Sequence, residues 1–249
     1  MVVIMALVAF FNDTATTEIY TKTSYMDWVE RLPASSKTFV EESGPIFSGV
    51  VDATFQPIKN LFGRLDAEGF VGPISYKGAY ISFSDSHAVP YNAVTARLGE
   101  TLEGTAEYKI TVGGNLSVSP FASLGSSVWW RPLCKETWTA GYGKLGASVA
   151  IGKFFAKSGL LIPLFTQNDC NLWDFYPVLG RLTDAVTHPK GIPTPFVEAG
   201  VQFTGFSIRI SYELKEWEKS DEVDMGNGWY IYQPKTTYSS IGLSMDWLL

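Results

Sequence analysis

The segment NAVTARLGETLEGTAEYKITV, residues 92–112, alternates between apolar and polar side chains over most of its length. Its even positions include Val94, Leu98 and Leu102, its odd positions are mostly Thr, Arg, Glu and Lys, and Glu100 breaks the pattern. A side-chain period of two is typical of a β-strand, whereas an amphipathic helix repeats every 3.6 residues. The segment therefore predicts a long strand with one apolar and one polar face.

The same alternation recurs from residue 25 onward and predicts an all-β chain of about ten strands. Residues 1–24 carry none of this evidence. The predicted strands are Tyr25–Arg31, Phe47–Phe55, Leu61–Glu68, Asn92–Val112, Leu116–Ser127, Tyr142–Gly152, Gly159–Gln167, Val197–Phe203, Phe206–Lys215 and Tyr238–Leu249.

The lengths of the connections form a second pattern, in which short and long connections alternate. Tight turns that contain Gly, Pro or Asn are predicted at Pro57–Asn60, Val112–Asn115, Ala156–Gly159 and Phe203–Phe206. Long connections are predicted near residues 33–45, 72–91, 131–140, 168–193 and 218–235. Short turns on one rim and long loops on the other are typical of outer-membrane barrels, whose short turns are periplasmic. Together with the alternation, this predicts a closed antiparallel transmembrane β-barrel.

Composition excludes some other classes of protein. The 249 residues suit one all-β domain. No stretch approaches the ~18 uninterrupted apolar residues of a transmembrane helix. A net charge of −6 without a basic stripe argues against a nucleic-acid partner. No phosphate-binding loop or metal-ligand cluster occurs, so we expect neither a cofactor nor a metal.

The polar face of the predicted strands combines many charged residues with Gly and Ser. Small residues relieve crowding inside a narrow barrel, and opposite charges can pair there, whereas Gly weakens a strand on a soluble surface. A filled lumen is also what a barrel of about ten strands predicts, in contrast to the open channels of larger porins. We expect an interior charge network of Arg64, Asp66, Glu68, Arg97, Glu103, Glu107, Lys109, Glu198, Arg209, Glu213 and Lys215, together with Asp246.

Residues 1–24 are interpreted separately from the barrel, which is assigned to residues 25–249. Met1–Phe11 is apolar like part of a signal peptide, but it has no basic region before it and no convincing cleavage site after it. Asn12–Thr21, NDTATTEIYT, resembles the conceptual translation of a sequencing-library adapter. The interpretation is an assembly artefact that replaces the true N-terminus, with an unusual export signal as the alternative.

The last predicted strand, Tyr238–Leu249, resembles the C-terminal strand that the outer-membrane assembly machinery recognises. Trp247 is followed by Leu248 and Leu249, so the usual terminal aromatic residue is absent. Residues 25–249 resemble small bacterial outer-membrane β-barrel proteins in architecture, without a subfamily motif. The resemblance implies the outer membrane of a Gram-negative-type bacterium, with lipid and the assembly machinery as partners.

Two pairs of residues are candidates for chemistry in the predicted outer loops. Asp85 and His87 could act on a water as a general base. An Asp/His pair at the rim is similar to that of the omptin proteases, which also have ten strands, but their second acidic pair is not identifiable here. Cys134 and Cys170 fall in neighbouring long loops that are predicted to lie outside the cytoplasm, where a disulfide between them could persist.

The leading functional interpretation is a non-enzymatic outer-membrane barrel with a largely plugged lumen and a structural or surface-binding role. The external ligand is not specified by the sequence. Three alternatives stay open: a narrow channel for small solutes, a rim-located hydrolase or protease of omptin-like type, and a soluble ligand-binding β-barrel.

Overall fold

A computed structural model describes residues 2–13, 18–21, 40–81, 88–132, 136–170, 185–226, 229–233 and 235–248. Within these ranges the regular structure is entirely β. The strands are β1 (Val2–Asp13), β2 (Glu18–Thr21), β3 (Val40–Ile58), β4 (Leu61–Ile81), β5 (Ala88–Tyr108), β6 (Ile110–Gly113), β7 (Leu116–Arg131), β8 (Glu136–Ile151), β9 (Phe154–Cys170), β10 (Ala185–Thr187), β11 (Gly191–Ile192), β12 (Thr194–Gln202), β13 (Phe206–Trp217), β14 (Val223–Gly226), β15 (Trp229–Tyr232) and β16 (Thr236–Leu248).

Thirteen strands form one antiparallel sheet, so the prediction of about ten strands was too low. Three of the thirteen have four residues or fewer. Of these, β6 continues β5 beyond Lys109, while β10 and β11 lie in the stretch that was predicted to be the connection 168–193. The predicted strand Tyr25–Arg31 lies outside the described residues.

Each of the ten longer strands in this sheet pairs with two other long strands. Consecutive pairs run from β3 through β4, β5, β7, β8, β9, β12 and β13 to β16. Strand β1 lies between β16 and β3, with Val3 opposite Leu248 and Val2 opposite Ala53. A separate small sheet has the order β14-β15-β2.

Four tight turns lie next to one another at the same end of the sheet. The backbone N–H of Lys109 donates to the carbonyl of Asn60 at 2.8 Å, Gly152 N–H donates to Asn115 at 3.1 Å, and Gln202 N–H donates to Lys153 at 2.7 Å. Three turns lie where the sequence predicts them, at residues 59–60, 114–115 and 204–205.

The turn predicted at Ala156–Gly159 was wrong. The chain reverses earlier, at Gly152–Lys153, where Gly152 has a φ of 59° that favours glycine. Residues 156–159 belong to β9, and Lys157 lies on the same side of the sheet as Arg64 and Glu198. The Lys-Ser-Gly sequence at 157–159 has turn-forming composition, but the pairing of β9 with β8 and β12 overrides this local preference.

At the other end of the sheet, the strands extend far into the stretches predicted as loops. Strands β4 and β5 each have 21 residues, so only residues 82–87 connect them. Only residues 132–135 connect β7 and β8. The long-loop prediction therefore overestimated these connections, because the strands continue past the segments of clear alternation.

The two faces of the sheet differ in polarity, and the exposed face is the apolar one. Large apolar side chains are exposed on one face, which we call the apolar face: Phe47, Val51, Phe55, Leu65, Val71, Leu98, Leu102, Leu124, Trp130, Leu145, Leu160, Leu164, Val197, Ile210, Ile241 and Leu243. Polar and charged side chains on the opposite, polar face are buried, including Asp52, Arg97, Ser119, Ser123 and Ser244. A soluble protein normally has the reverse arrangement.

Candidate functional site

The polar face encloses a cavity of about 520 Å³, which we call the large cavity. Its walls come from eight strands, β3, β4, β5, β8, β9, β12, β13 and β16. Alternation explains the lining, because charged residues two positions apart on one strand point to the same side, as Arg64, Asp66 and Glu68 do on β4.

Two groups of ion pairs lie on the walls of the large cavity. The Arg64 guanidinium lies 2.6 Å from the Asp66 carboxylate and 3.3 Å from that of Asp52. The Arg209 guanidinium lies 3.2 Å from Glu198 and 3.5 Å from Asp246. Each arginine therefore links carboxylates from different strands across the sheet.

A third group, the lysine cluster, consists of Glu103, Lys144, Glu213 and Lys215. The Lys144 ammonium lies 2.8 Å from Glu103 and 3.7 Å from Glu213, and Lys215 lies 2.9 Å from Glu213. The Tyr142 hydroxyl donates a hydrogen bond of 2.9 Å to Glu103. Two cations and two carboxylates from three strands thus form a balanced group on the cavity wall.

A fourth group, the arginine cluster, lies toward the end opposite the tight turns. It consists of Glu42, Arg97, Arg131 and Glu136, all at most 4% exposed. The Glu42 carboxylate lies 3.0 Å from Arg97 and 2.7 Å from Arg131, and Arg131 lies 2.9 Å from Glu136. Because burying an unpaired charge is costly, this group holds only if its pairs stay intact.

Three tryptophans pack together next to the arginine cluster. Trp129 stacks on Trp138 with ring centroids 5.4 Å apart and planes at 11°. Trp217 packs against both rings, at 5.5 Å from Trp138 and 6.1 Å from Trp129. The Trp138 indole N–H donates to Glu136 at 3.2 Å, so the aromatic and charged groups support each other.

The eleven residues predicted for the charge network lie in or beside the large cavity, and their contacts differ. All eleven except Arg97 line the large cavity, and Arg97 lies beside it in the arginine cluster. Glu107 accepts a hydrogen bond of 3.2 Å from Ser148, whereas Lys109 lies in the exposed break between β5 and β6. Asp246 is the partner of Arg209.

Sequence reasoning missed several members of these groups. Lys144 shares the period of the polar face in a predicted strand and could have been included on that signal, whereas Lys157 was hidden in the turn predicted at Ala156–Gly159. Asp52 alternates with exposed Val51 in the same way. The alternation gave no signal for Glu42, Arg131 and Glu136, because these residues fall in or at the edge of the predicted connections near 33–45 and 131–140.

The two candidate pairs in the loops are only partly described. Asp85, His87 and Cys134 lie outside the described residues, so the general-base and disulfide hypotheses stay predictions. Cys170 is buried at 2% exposure and lies opposite Glu136 in the pairing of β9 with β8. Over the described ranges, no three His, Cys, Asp or Glu side chains are placed to hold a metal ion, and no helix is long and apolar enough to cross a membrane.

Comparisons with known proteins identify no family. No protein-family model and no curated protein matches the chain. Among solved structures, the outer-membrane protease OmpT from Escherichia coli aligns over 99% of this chain and 97% of its own, at 8% identity and a TM-score of 0.49. An outer-membrane channel from Pseudomonas putida F1 covers 99% and 95% at 9% identity, with a TM-score of 0.40. The transport unit of the autotransporter AIDA-I from E. coli covers 99% and 90% at 10% identity, with a TM-score of 0.39.

Proposed function

We propose that this chain is a closed transmembrane β-barrel of ten long strands in the outer membrane of a Gram-negative-type bacterium. Its proposed role is structural or surface-binding rather than enzymatic, and its proposed lumen is largely plugged. The observation that carries the proposal is the polarity of the two faces. Leu124 is 68% exposed and Leu164 is 61% exposed, whereas Glu42 and Arg131 are each 2% exposed.

Lipid is the environment in which this distribution is stable. Burying apolar surface away from water contributes roughly 25 cal/mol per Å², so a continuous apolar face in water would be strongly unfavourable. In a bilayer the same face contacts hydrocarbon, while the backbone polar groups must all be paired within the protein. The pairing of each long strand with two others supports a sheet closed on itself, which satisfies this requirement.

Strand β1 is essential to this closure. It supplies the pairing between β16 and β3, yet it falls in residues 1–24, which the sequence indicates to be an artefact or a signal-like segment. Either β1 is a strand of the barrel, or the barrel forms from residues 25–249 alone. Refolding the full chain and a chain that begins at residue 25 distinguishes these two expectations. If β1 closes the barrel, only the full chain gives a heat-modifiable species on a denaturing gel.

A plugged lumen is supported by the charged groups across the large cavity. The arginine cluster spans β3, β5, β7 and β8, and the three tryptophans pack against one another next to it. We expect an ion that passes from the end with the tight turns to the opposite end to be obstructed by the arginine cluster and the tryptophans.

Conductance in a planar bilayer tests the plug. We expect the refolded full chain to insert and to show little conductance beside a 16-stranded porin control. A steady small conductance would favour the narrow channel instead. A chain that stays monodisperse in plain buffer would favour the soluble barrel, and hydrolysis abolished by Asp85→Ala or His87→Ala would favour the rim hydrolase.

A further inference from the structure

The end of the sheet with the tight turns carries an excess of positive charge. Lys59 lies in the turn between β3 and β4, Lys109 lies between β5 and β6, and Lys153 lies in the turn between β8 and β9. We call these three residues the basic rim. The four turn segments contain no Asp or Glu: they are residues 57–60, 109–116, 151–154 and 202–206.

The lysines of the basic rim are exposed and lack counterions in the described part of the chain. No carboxylate there lies within 4.0 Å of any of their three ammonium groups. The cations on the cavity wall differ, because Arg64 and Lys144 lie 2.6 and 2.8 Å from carboxylates. Lys109 also lines the large cavity, so it lies where that cavity meets the turn end. The basic rim therefore presents positive charge to its surroundings.

The basic rim lies at the border of the apolar face. Each of its lysines is adjacent in sequence to a large apolar side chain that is exposed. These neighbours are Ile58, Tyr108 and Phe154, at 63%, 46% and 57% exposure. Lysine and aromatic side chains are typical of the border between hydrocarbon and water, because their apolar part stays in hydrocarbon while the polar tip reaches the headgroups.

Lys153 shows this position most clearly. Its ammonium lies 5.6 Å from the ring centroid of Phe154 and 5.7 Å from that of Phe203. The Phe203 ring is 40% exposed and stacks on Phe206 at 4.7 Å. Attraction between the ammonium and the two ring faces holds the charge beside apolar surface. An anion that pairs with Lys153 must therefore approach along the border of the apolar face.

We propose that the basic rim docks phospholipids whose headgroups carry a net negative charge, with the phosphates against the lysines and the acyl chains on the apolar face. The proposal rests on the proposed function, since it takes the apolar face to lie in lipid. Charge complementarity favours an anionic headgroup over a zwitterionic one. The position of the lysines favours a lipid over free phosphate or an acidic protein, because only a lipid also covers the exposed apolar neighbours.

The opposite end of the sheet has the opposite charge where β13 leads into β14. Four acidic residues occur in residues 218–224: Glu218, Asp221, Glu222 and Asp224. Lys219 is the only basic residue in that stretch, and it lies 3.4 Å from Glu222. Because this stretch would repel anionic headgroups, we expect anionic lipid to dock at the turn end only.

Calorimetric titration of the refolded full chain in dodecyl maltoside tests the proposal. The probes are dioctanoylphosphatidylglycerol, which is anionic, and dioctanoylphosphatidylcholine, which is zwitterionic. At low salt we expect the anionic lipid to bind more tightly, by roughly five-fold for each lysine that contacts it. Sodium chloride at about 0.5 M should remove most of this difference by screening. Equal affinity for the two lipids at low salt would overturn the proposal.

Variants test whether the basic rim is the docking surface. Lys59→Gln and Lys153→Gln should each weaken binding of the anionic lipid roughly five-fold and leave binding of the zwitterionic lipid unchanged. Lys190→Gln is the matched control, because Lys190 is exposed at the opposite end, next to the pairing of β11 with β13. An equal loss in all three variants would mean that only the net charge of the protein matters, which would contradict the proposal.

Two competitors distinguish the lipid from other anions. Sodium phosphate and poly-aspartate should displace the anionic lipid poorly, because neither of them covers the apolar neighbours of the lysines. Displacement by phosphate at a concentration equal to that of the lipid would identify a site for free phosphate. Tighter binding of poly-aspartate than of the lipid would identify an acidic protein as the partner. Either result would overturn the proposal.

Heat-modifiable mobility of each sample separates this inference from the proposed function. A heat-modifiable chain with equal affinity for the two lipids would refute the docking surface alone. A chain without a heat-modifiable species would refute the closed barrel and the docking surface with it. A variant that loses heat modifiability is replaced by the arginine substitution at the same position, which keeps the charge and should keep the preference for the anionic lipid.

Discussion

Replacing an exposed leucine by arginine distinguishes a lipid-facing surface from a water-facing one. Leu145 on β8 is 54% exposed, and its partner across the strand pair, Leu160, is 51% exposed. It lies six residues from the end of β8 at Ile151. At about 3.3 Å per residue and a tilt of ~40°, this is about 15 Å above the tight turns, near the middle of an apolar band ~25 Å tall.

In lipid, Leu145→Arg should lower the free energy of unfolding by about 2–4 kcal/mol, because the charge must enter hydrocarbon. On a soluble surface the same change would stay within about 0.5 kcal/mol. Reversible urea unfolding in lipid vesicles, followed by tryptophan fluorescence, measures the difference. Thr204→Arg is the control, since Thr204 is exposed in a tight turn and should cost about 0–1 kcal/mol. Equal, small effects of both variants would refute the assignment of the apolar face to lipid.

Three further predictions concern single side chains. Glu100 is an exposed carboxylate among apolar neighbours, so Glu100→Leu should raise the free energy of unfolding in vesicles by ~1–2 kcal/mol, and no change would mean that this position contacts water. Arg131→Ala should lower the free energy of unfolding by about 3–5 kcal/mol, because buried Glu136 loses its arginine and buried Glu42 keeps only Arg97. A loss below about 1 kcal/mol in urea unfolding would show that the arginine cluster is not needed for stability. If Cys134 and Cys170 form a disulfide, maleimide should label neither cysteine before reduction and both after reduction and unfolding; labelling of both in the unreduced, unfolded chain would exclude the bond.

Alternation predicted the two faces of the sheet because it is a local property of a strand. Residues such as Leu98 and Leu102 lie on the apolar face, and Arg64 and Glu103 line the large cavity. The turn at Gly114–Asn115 was equally visible, since a glycine with a φ of 52° is needed there. These features depend only on neighbouring residues.

Features that depend on distant residues were not predictable in the same way. The ion pair of Glu42 with Arg131 joins residues 89 positions apart, and nothing in either segment indicates the other. The true beginning of β9 at Phe154 depends on pairing with β8 and β12, which outweighs the turn-like composition at 157–159. The pairing of β1 with β16 was hidden for a further reason, since that segment had been assigned no strand at all.

The three tryptophans next to the arginine cluster lie between these two cases. Trp129 and Trp217 lie near strand ends, where a transmembrane barrel usually carries an interfacial girdle of aromatic residues. The structure places both rings on the polar face, against Trp138. Whether a tryptophan lies on the polar or the apolar face depends on whether its position along the strand is odd or even. Trp130, next to Trp129 in β7, is 45% exposed on the apolar face, whereas Trp217 on the polar face is 5% exposed.

Heat modifiability tests the central claim, a closed membrane barrel, most directly. The full chain would be refolded into detergent micelles and into lipid vesicles, then run on a denaturing gel with and without boiling. A closed barrel should resist the detergent of the gel when unboiled and migrate differently from the boiled chain. Identical mobility of the two samples, together with a soluble monodisperse chain in plain buffer, would contradict the claim.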